Sequence, residues 1–311
     1  MILMPELAPP PLVRAPLHYR FGLLAVCTLL AINPAQLTAD KTPQASKDAT
    51  PGENGKPQGT GIGSLVIVGG GSLPDSIRDR FLDLAGGKTA RLVVIPTASE
   101  LGHMKGAFRS FEYWKAQPAA SVTLLHTLDR EKANDPTFVK PLTEATGVWL
   151  SGGDQARLAA AYHDTAVVRE LRKLLDRGGV VGGTSAGAAA MSSLMILSGN
   201  PDAKVGAGLD LLDDVVIDQH FHNRNRLKRL QGVLDKHPAY MGLGIDEETA
   251  VVLKGRKATV LGNANVRVCL PMAVGKLPVV QVLEPGDELD LAPLCQEVRE
   301  LCKSTAAPTE P

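Results

Sequence analysis

The sequence predicts an α/β fold with a doubly wound, mostly parallel sheet flanked by helices. Short, continuous apolar runs such as residues 65–68 are typical of strands that are buried on both faces. Glycine-containing turns follow several of these runs, and helical segments follow the glycines. The unit of strand, turn and helix recurs about every 25–35 residues, which is the spacing of a doubly wound sheet.

The predicted elements follow one another from residue 64 onward. A first strand and helix are separated by Gly69-Gly70-Gly71, which lacks the spacing of a nucleotide-binding loop and is interpreted as a tight turn. Further strands are predicted at 91–96, 121–125, 147–150, 180–181 and 215–221, and closing strands at 258–261, 266–270 and 279–283. Helices are predicted at 74–85, around the aromatic residues 108–114, after 156 and at 165–177, with a helical or loop segment at 129–145.

Composition supports a single enzyme-sized domain. The chain has 311 residues, of which 44% are hydrophobic and 21% charged, which suits one α/β domain of about 250 residues with extensions. The 33 basic and 33 acidic residues cancel, so no overall positive field favours nucleic acid as a partner. No pair of cysteines has the spacing of a zinc site, and neither a metal nor a cofactor is expected.

The N-terminal residues have the layout of a secretory signal. Arg14 and Arg20 precede an apolar run at 21–32, and the small residues Ala35 and Ala39 follow it. The run is shorter than the roughly 20 residues that span a bilayer. We therefore expect a signal peptide, export to the periplasm or the cell exterior, and no membrane attachment of the mature form; the alternative is a misassigned start codon followed by a disordered tail.

These features divide the chain into four parts. Residues 1–39 are the expected signal peptide, and residues 40–62 are rich in Lys, Thr, Pro, Gly and Ser and are expected to be a disordered linker. The folded domain is expected at 63–302, and 303–311 is expected to be a loose tail.

The run Gly183-Thr184-Ser185-Ala186-Gly187 fits the G-x-S-x-G nucleophile elbow. Glycines allow the backbone to approach its neighbours closely, so that Ser185 is held at a corner between a strand and a helix. The N–H groups of Ser185 and Ala186 are expected at the helix N-terminus, where they favour negative charge and supply half of an oxyanion hole. The alternative is an ordinary glycine-rich turn.

A second glycine turn, Gly152-Gly153, follows the strand at 147–150. Right-handed crossovers place the carboxyl ends of parallel strands at one edge of the sheet, so Gly152, Gly153 and Ser185 should meet in one crevice. The N–H group of Gly153 is then a candidate for the second oxyanion donor, with a plain turn as the alternative.

His220, at the end of the strand at 215–221, is the preferred general base, because an imidazole titrates near neutral pH. His222 and His237 are competing candidates. His220 and His222 share a strand face and suit a metal ion, but no third ligand is evident nearby.

Arg224, Arg226 and Arg229 follow directly and form a cationic cluster at the strand end. Guanidinium groups match carboxylates in shape and charge, so the cluster predicts an acidic ligand, whereas the alternative is a solvated basic helix face.

The acid that orients the base is left open among Asp246, Glu247 and Glu248, which form an acidic turn beside a strand. The order serine, histidine, acid differs from that of α/β-hydrolases. A hydrolase order would need His237 as base and one of four aspartates as acid, namely Asp210, Asp213, Asp214 or Asp218.

The motifs together resemble the cyanophycinases, a family of serine exopeptidases related to aspartyl dipeptidase (peptidase E). They are, in chain order, Gly152-Gly153-Asp154-Gln155, Gly183-Thr184-Ser185-Ala186-Gly187-Ala188, Asp218-Gln219-His220-Phe221 with Arg224, Arg226 and Arg229, and Gly244-Ile245-Asp246-Glu247. The resemblance covers residues 64–253 and implies a fold similar to class I glutamine amidotransferases. It implies Ser185 as nucleophile, His220 as base and Glu247 as orienting acid.

The same resemblance implies the rest of the site. Gly153 and Ala186 would supply the oxyanion N–H groups. The residues that would line the substrate pocket are Gln155, Asp218, Gln219, Arg224, Arg226 and Arg229. The implied substrate is cyanophycin, a polyaspartate that carries arginine on each side-chain carboxylate, and the implied product is the β-Asp-Arg dipeptide. A homodimer is a further implication. The alternatives are an aspartyl dipeptidase acting on N-terminal or β-aspartyl peptides and a non-catalytic binder of acidic peptides.

Overall fold

The structure is a computed structural model that describes residues 63–100, 108–272 and 280–306. The expected signal peptide, the expected linker and residues 307–311 of the expected tail lie outside the described residues.

A central eight-stranded sheet confirms the expected α/β fold. Five of its strands run parallel, in the spatial order β3 (Ser121–Leu124), β2 (Arg91–Ile95), β4 (Gly147–Leu150), β5 (Val180–Thr184) and β1 (Ser64–Val68). Antiparallel pairing from β1 then adds β10 (Thr249–Lys254), β11 (Lys257–Gly262) and β14 (Glu288–Asp290). The carboxyl ends of β4 and β5 therefore lie side by side, which brings their glycine turns together.

The strand that precedes His220 belongs to a different sheet. A four-stranded sheet has the order β13 (Val280–Leu283), β12 (Val266–Cys269), β9 (Met241–Ile245) and β8 (Val215–Gln219). His220 therefore follows a strand of a different sheet from the one that leads to Ser185. Every residue of β8 is buried, and such a run marks a covered strand without indicating which sheet it joins. Two further strands, β6 (Leu194–Ser198) and β7 (Lys204–Ala207), form a separate hairpin.

Helices cover the sheets. They are α1 (Asp75–Leu84), α2 (Arg109–Lys115), α3 (Pro136–Glu144), α4 (Gln155–Tyr162), α5 (Ala166–Asp176), α6 (Ala186–Ala189), α7 (Leu227–Lys236) and α8 (Leu291–Ala306). Helix α8 extends into residues 303–306, which were expected to belong to a loose tail. In the described part of the chain, no helix is both long enough and apolar enough to cross a bilayer.

Apolar side chains fill both faces of the central sheet. On one face, Phe81 of α1 packs against Trp114 and Trp149, with ring centroids 4.8 and 5.0 Å away. Trp114 is fully buried, whereas Tyr113 beside it is 36% exposed. The larger core cluster on the other face includes residues of α4, α5 and α6. Helix α6, which follows Ser185, is therefore fixed by packed side chains.

Candidate active site

Ser185 lies at the corner between β5 and α6, with φ 51° and ψ −112°. A positive φ is rare for a residue with a side chain and costs about 1–3 kcal/mol. The flanking glycines make this corner possible, because a Cβ on Gly187 would lie 2.2 Å from the carbonyl oxygen of Leu150 and one on Gly183 would lie 2.8 Å from the Gly187 backbone. The strain is therefore maintained by close backbone packing on both sides of the serine.

The imidazole of His220 lies between Ser185 and Glu247. Its Nε2 is 2.8 Å from the Oγ of Ser185, and its Nδ1 is 2.5 Å from Oε1 of Glu247. Its own φ is 49°, and its backbone N–H donates to the carbonyl oxygen of Gly69 at 2.7 Å. A hydroxyl, an imidazole and a carboxylate are thus joined in one chain of hydrogen bonds.

The other acids of the 246–248 turn have different partners. Asp246 accepts hydrogen bonds from the backbone N–H of His222 at 2.8 Å and from Arg267. Its carboxylate therefore binds the backbone of the 220–222 segment and not the imidazole of His220. Glu248 accepts a hydrogen bond from the side chain of Asn263. Only Glu247 contacts the His220 ring among the three acids that the sequence left open.

The pKa of His220 is lowered from its ordinary value, chiefly because burial disfavours the charged ring. The hydrogen bond that Nδ1 of His220 donates to Glu247 opposes this effect, while the positive charges of Arg224 and Arg226 add to it. At neutral pH the ring is therefore uncharged, which is the state in which Nε2 accepts a proton from a serine hydroxyl.

Two backbone N–H groups lie near Ser185, that of Ala186, the next residue, and that of Gly153, which lines the same cavity. Among the described residues, neither the N–H of Ala186, at the start of α6, nor that of Gly153 donates to any protein acceptor. Gly153 has φ 139°, and a Cβ there would lie 2.2 Å from the carbonyl oxygen of Ala98, so only glycine fits. The expectation for the N–H of Ser185 is wrong, because this group donates to the carbonyl oxygen of Val68 at 3.0 Å and completes the β1–β5 ladder.

A cavity of about 720 Å³ opens onto Ser185. Its lining comprises Gly153, Gln155, Ser185, Leu197, Ser198, Gly199, Asn200, Gln219, Arg224, Arg226 and Arg229. The charged groups of this lining are all guanidinium groups. The cavity therefore offers positive charge to a ligand, as the sequence indicated.

Asp218 does not line this cavity, and the expectation that it binds substrate is corrected by its position. Its side chain has no exposed surface and forms an ion pair with Arg229, whose Nε lies 3.0 Å from Oδ2, and a weaker contact with Arg226 at 3.4 Å. Burial raises the pKa of Asp218, and the two guanidinium groups oppose that rise. Asp218 therefore sets the orientation of the arginines from beneath.

Of the two buried arginines, Arg226 uses fewer of its N–H groups in hydrogen bonds than Arg229 does. Arg226 donates through Nη1 to the backbone and side-chain oxygens of Gln219, while its buried Nε has no partner. Burial is the main cause that lowers the pKa of Arg226 to about 10, so it is still charged at neutral pH. Arg224 is exposed at the cavity. Gln219 thus lines the cavity, but its side-chain oxygen Oε1 already accepts a hydrogen bond from Arg226.

Gln155 lines the cavity, yet its amide nitrogen is committed elsewhere. Nε2 donates to the carbonyl oxygens of Ile196 and Leu197, both at 2.8 Å. The expected direct contact with substrate is therefore left to its Oε1.

Comparison with known proteins places this geometry in a family. The model of peptidase family S51 matches residues 65–261. This chain belongs to peptidase family S51. Its relatives include cyanophycinases from Synechococcus elongatus, 36% identical over 70% of this chain and 71% of the relative, and from Nostoc sp., 35% identical over 74% and 76%. A solved peptidase from an acI-B1 Actinobacterium has a TM-score of 0.58 and 25% identity, covering 75% of this chain and 98% of its own.

Membership of family S51 confirms the resemblance that the motifs indicated. The chain is a serine-type peptidase similar to cyanophycinases. The matched residues run from the first strand to β11, and they contain each segment that contributes to the cavity.

Gly70 is a position of this S51 peptidase that lies against His220, and the sequence interpretation missed this contact. A Cβ on Gly70, whose φ is 111°, would lie 2.3 Å from Cε1 and 2.5 Å from Nε2 of His220. The turn that was interpreted as ordinary is thus the surface against which the imidazole packs. The three consecutive glycines were the available signal, since a βα turn rarely needs so many.

Proposed function

We propose that this chain is an exopeptidase that hydrolyses cyanophycin to β-Asp-Arg dipeptides, with Ser185 as nucleophile, His220 as general base and acid, and Glu247 as the orienting carboxylate. The observation that carries the proposal is the hydrogen-bonded series Ser185–His220–Glu247 at 2.8 and 2.5 Å, which opens onto an arginine-lined cavity. The similarity to cyanophycinases supports the choice of substrate.

In the first half of the proposed reaction, Nε2 of His220 takes the proton from Ser185 while Oγ attacks the carbonyl carbon between two aspartate units. The oxyanion that forms accepts hydrogen bonds from the N–H groups of Gly153 and Ala186, which have no protein acceptor in the described residues. Glu247 holds the Nδ1 proton and stabilises the imidazolium.

In the second half, the imidazolium of His220 gives its proton to the departing amine, and the C–N bond breaks to leave an acyl-serine. A water molecule then loses a proton to Nε2 and attacks the acyl carbon, which releases the acid and restores the hydroxyl of Ser185. The lowered pKa of His220 suits this cycle, because the neutral ring must be available before each of the two attacks, by Oγ of Ser185 and by water.

The cavity suits a ligand with several carboxylates. Arg224 and Arg226 line the cavity and carry N–H groups that Asp218 does not use. Each arginine of cyanophycin is attached through its amino group and keeps a free α-carboxylate, and the C-terminal aspartate adds another; carboxylates bind guanidinium groups through paired hydrogen bonds. An aspartyl dipeptidase acting on plain aspartyl peptides would use the same charges, so the substrate must be decided by assay.

The decisive experiment compares dipeptide release from cyanophycin with cleavage of Asp-X and β-aspartyl dipeptides by the same preparation. We expect soluble β-Asp-Arg from cyanophycin and a loss of about 10³-fold or more in kcat for Ser185→Ala, which should still bind the polymer. Preferred cleavage of Asp-X dipeptides would assign the aspartyl dipeptidase instead. Binding of acidic peptides without turnover by the wild type would contradict catalysis altogether.

We also propose that the protein is exported after removal of residues 1–39 and that it forms a homodimer. The layout of charged, apolar and small residues in the leader supports export, and an exported enzyme would digest polymer outside the cell. Fractionation with N-terminal sequencing of the mature protein tests export, and sedimentation of that protein tests the dimer.

A further inference from the structure

The β6–β7 hairpin forms one wall of the cavity. Four consecutive residues from the end of β6 onward, 197–200, line the cavity together with the arginines. The ladder between the two strands pairs Ile196 with Val205 and then Ser198 with Lys204, so Leu197 is bulged out of register. A bulge bends its strand, and here the bend directs residues 197–200 along the cavity.

The bulge is held by a side chain from another element. Gln155, the first residue of α4, donates through Nε2 to the carbonyl oxygens of Ile196 and Leu197, both at 2.8 Å. Both partners are acceptors, so chemistry alone requires the nitrogen and not the oxygen of the amide to face them. An amide nitrogen has two hydrogens, and both are used by the hairpin.

The same wall is also tied to the arginine side of the cavity. Nη1 of Arg229 donates to the carbonyl oxygen of Gly199 at 3.0 Å, and Nδ2 of Asn200 donates to the carbonyl oxygen of Arg224 at 3.2 Å. These bonds lie at the hairpin tip, whereas the bonds from Gln155 lie at the bulge. The wall is thus fixed at two points, and α4 supplies one of them.

We infer that Gln155 is a positioning residue: its amide N–H groups hold the Leu197 bulge, so that residues 197–200 form the substrate-facing wall, and they do not bind substrate. This inference deepens the proposed function, because the cavity is the proposed substrate site. It differs from a direct role, in which Oε1 of Gln155 would accept a hydrogen bond from the ligand.

Two substitutions separate the two roles. Gln155→Leu removes both the donors and the acceptor, whereas Gln155→Glu keeps acceptor oxygens but removes both donors and suits the first turn of a helix. Gln117→Leu is the matched control, because Gln117 also donates to a backbone carbonyl, that of Tyr113 at 2.9 Å, and lies in the bend after α2, which does not line the cavity. Hydrogen exchange of residues 194–207 is measured on the full chain without substrate, and KM and kcat are measured with cyanophycin.

We expect both Gln155 variants to exchange amides of the hairpin about tenfold faster than wild type, as the loss of hydrogen bonds predicts. KM should rise about tenfold while kcat stays within about twofold, because Ser185 and His220 are not touched. Exchange elsewhere and global melting should match the Gln117→Leu control.

Two results would overturn the inference. One is wild-type hairpin protection and KM in Gln155→Glu together with a raised KM in Gln155→Leu, which would assign a direct role to Oε1. The other is unchanged hairpin exchange in both variants. If the wild type fails to cleave cyanophycin, the proposed function falls, but the exchange measurement still decides how the hairpin is held.

Discussion

Replacing Gly70 with alanine should disable the proposed base, His220, although no side chain of the proposed catalytic site is itself replaced. The added Cβ would lie 2.3 Å from Cε1 of His220, whereas ordinary contact begins near 3.4 Å. The imidazole or the turn must therefore move by about 1 Å, and backbone at φ 111° adds about 1–3 kcal/mol of strain for a residue with a side chain. A ring displaced by that amount no longer holds Ser185 at 2.8 Å.

A misplacement of about 1 Å at a reacting group costs on the order of 10²-fold in rate. We expect Gly70→Ala to lower kcat by roughly that factor, while KM changes by less than about threefold because the arginines are not displaced. Steady-state release of dipeptide from cyanophycin measures both, and thermal unfolding measures the strain.

Gly286→Ala is the matched control. Gly286 also has a positive φ, 95°, but a Cβ there meets nothing within 4 Å, so the variant bears the backbone strain without the clash. If Gly70→Ala keeps a kcat within about threefold of Gly286→Ala, the reasoning that this glycine positions His220 is refuted.

Three further substitutions test the charges of the site. Glu247→Gln should lower kcat by roughly 10³-fold, and since Glu247 raises the pKa of His220, its removal should move the acidic limb of the kcat/KM profile to lower pH; an unmoved limb would contradict the contact. Arg226→Ala should raise KM for cyanophycin by about 10–100-fold, as expected when a charged hydrogen bond is lost, and unchanged kinetics with a lowered melting temperature would contradict this. Asp218→Asn should cost about 3 kcal/mol of unfolding free energy, because it leaves Arg229 buried without its counter-charge; a urea denaturation midpoint equal to that of wild type would argue against it.

Local sequence patterns were sufficient to predict that Ser185 lies at a corner between a strand and a helix, because the residues that define such a corner are close in sequence. Two buried β-branched residues, two glycines and a run of small residues lie within a dozen positions. The same holds for Gly153, whose turn follows a short buried strand. The fold class followed for a similar reason, since each strand, turn and helix unit carries its own signal.

The direction of a side chain in a covered strand or a tight turn was not predictable from the residues. Asp218 and Gln219 are adjacent on β8 and both are buried, so the sequence does not tell which of them faces the cavity. Glu247 was selected over its neighbours only by family resemblance. In the fold, Asp246 turns toward Arg267 and Glu248 has φ 57°, and both facts depend on packing between distant segments.

The arrangement of the site depends on consecutive backbone carbonyls at the end of β1, which no side-chain motif reveals. Val68 accepts the N–H of Ser185 at 3.0 Å, Gly69 accepts that of His220 at 2.7 Å, and Gly70 accepts that of Glu248 at 2.8 Å. Ser185 at the end of a strand of the central sheet, His220 at the end of a strand of the second sheet, and Glu248, the neighbour of Glu247, are thus held by three successive residues. Any residue would supply these backbone carbonyls, but only glycine leaves room for the imidazole of His220 to pack against the same turn. The glycine turn after β1 therefore sets the relative position of two sheets at the point where the chemistry needs it.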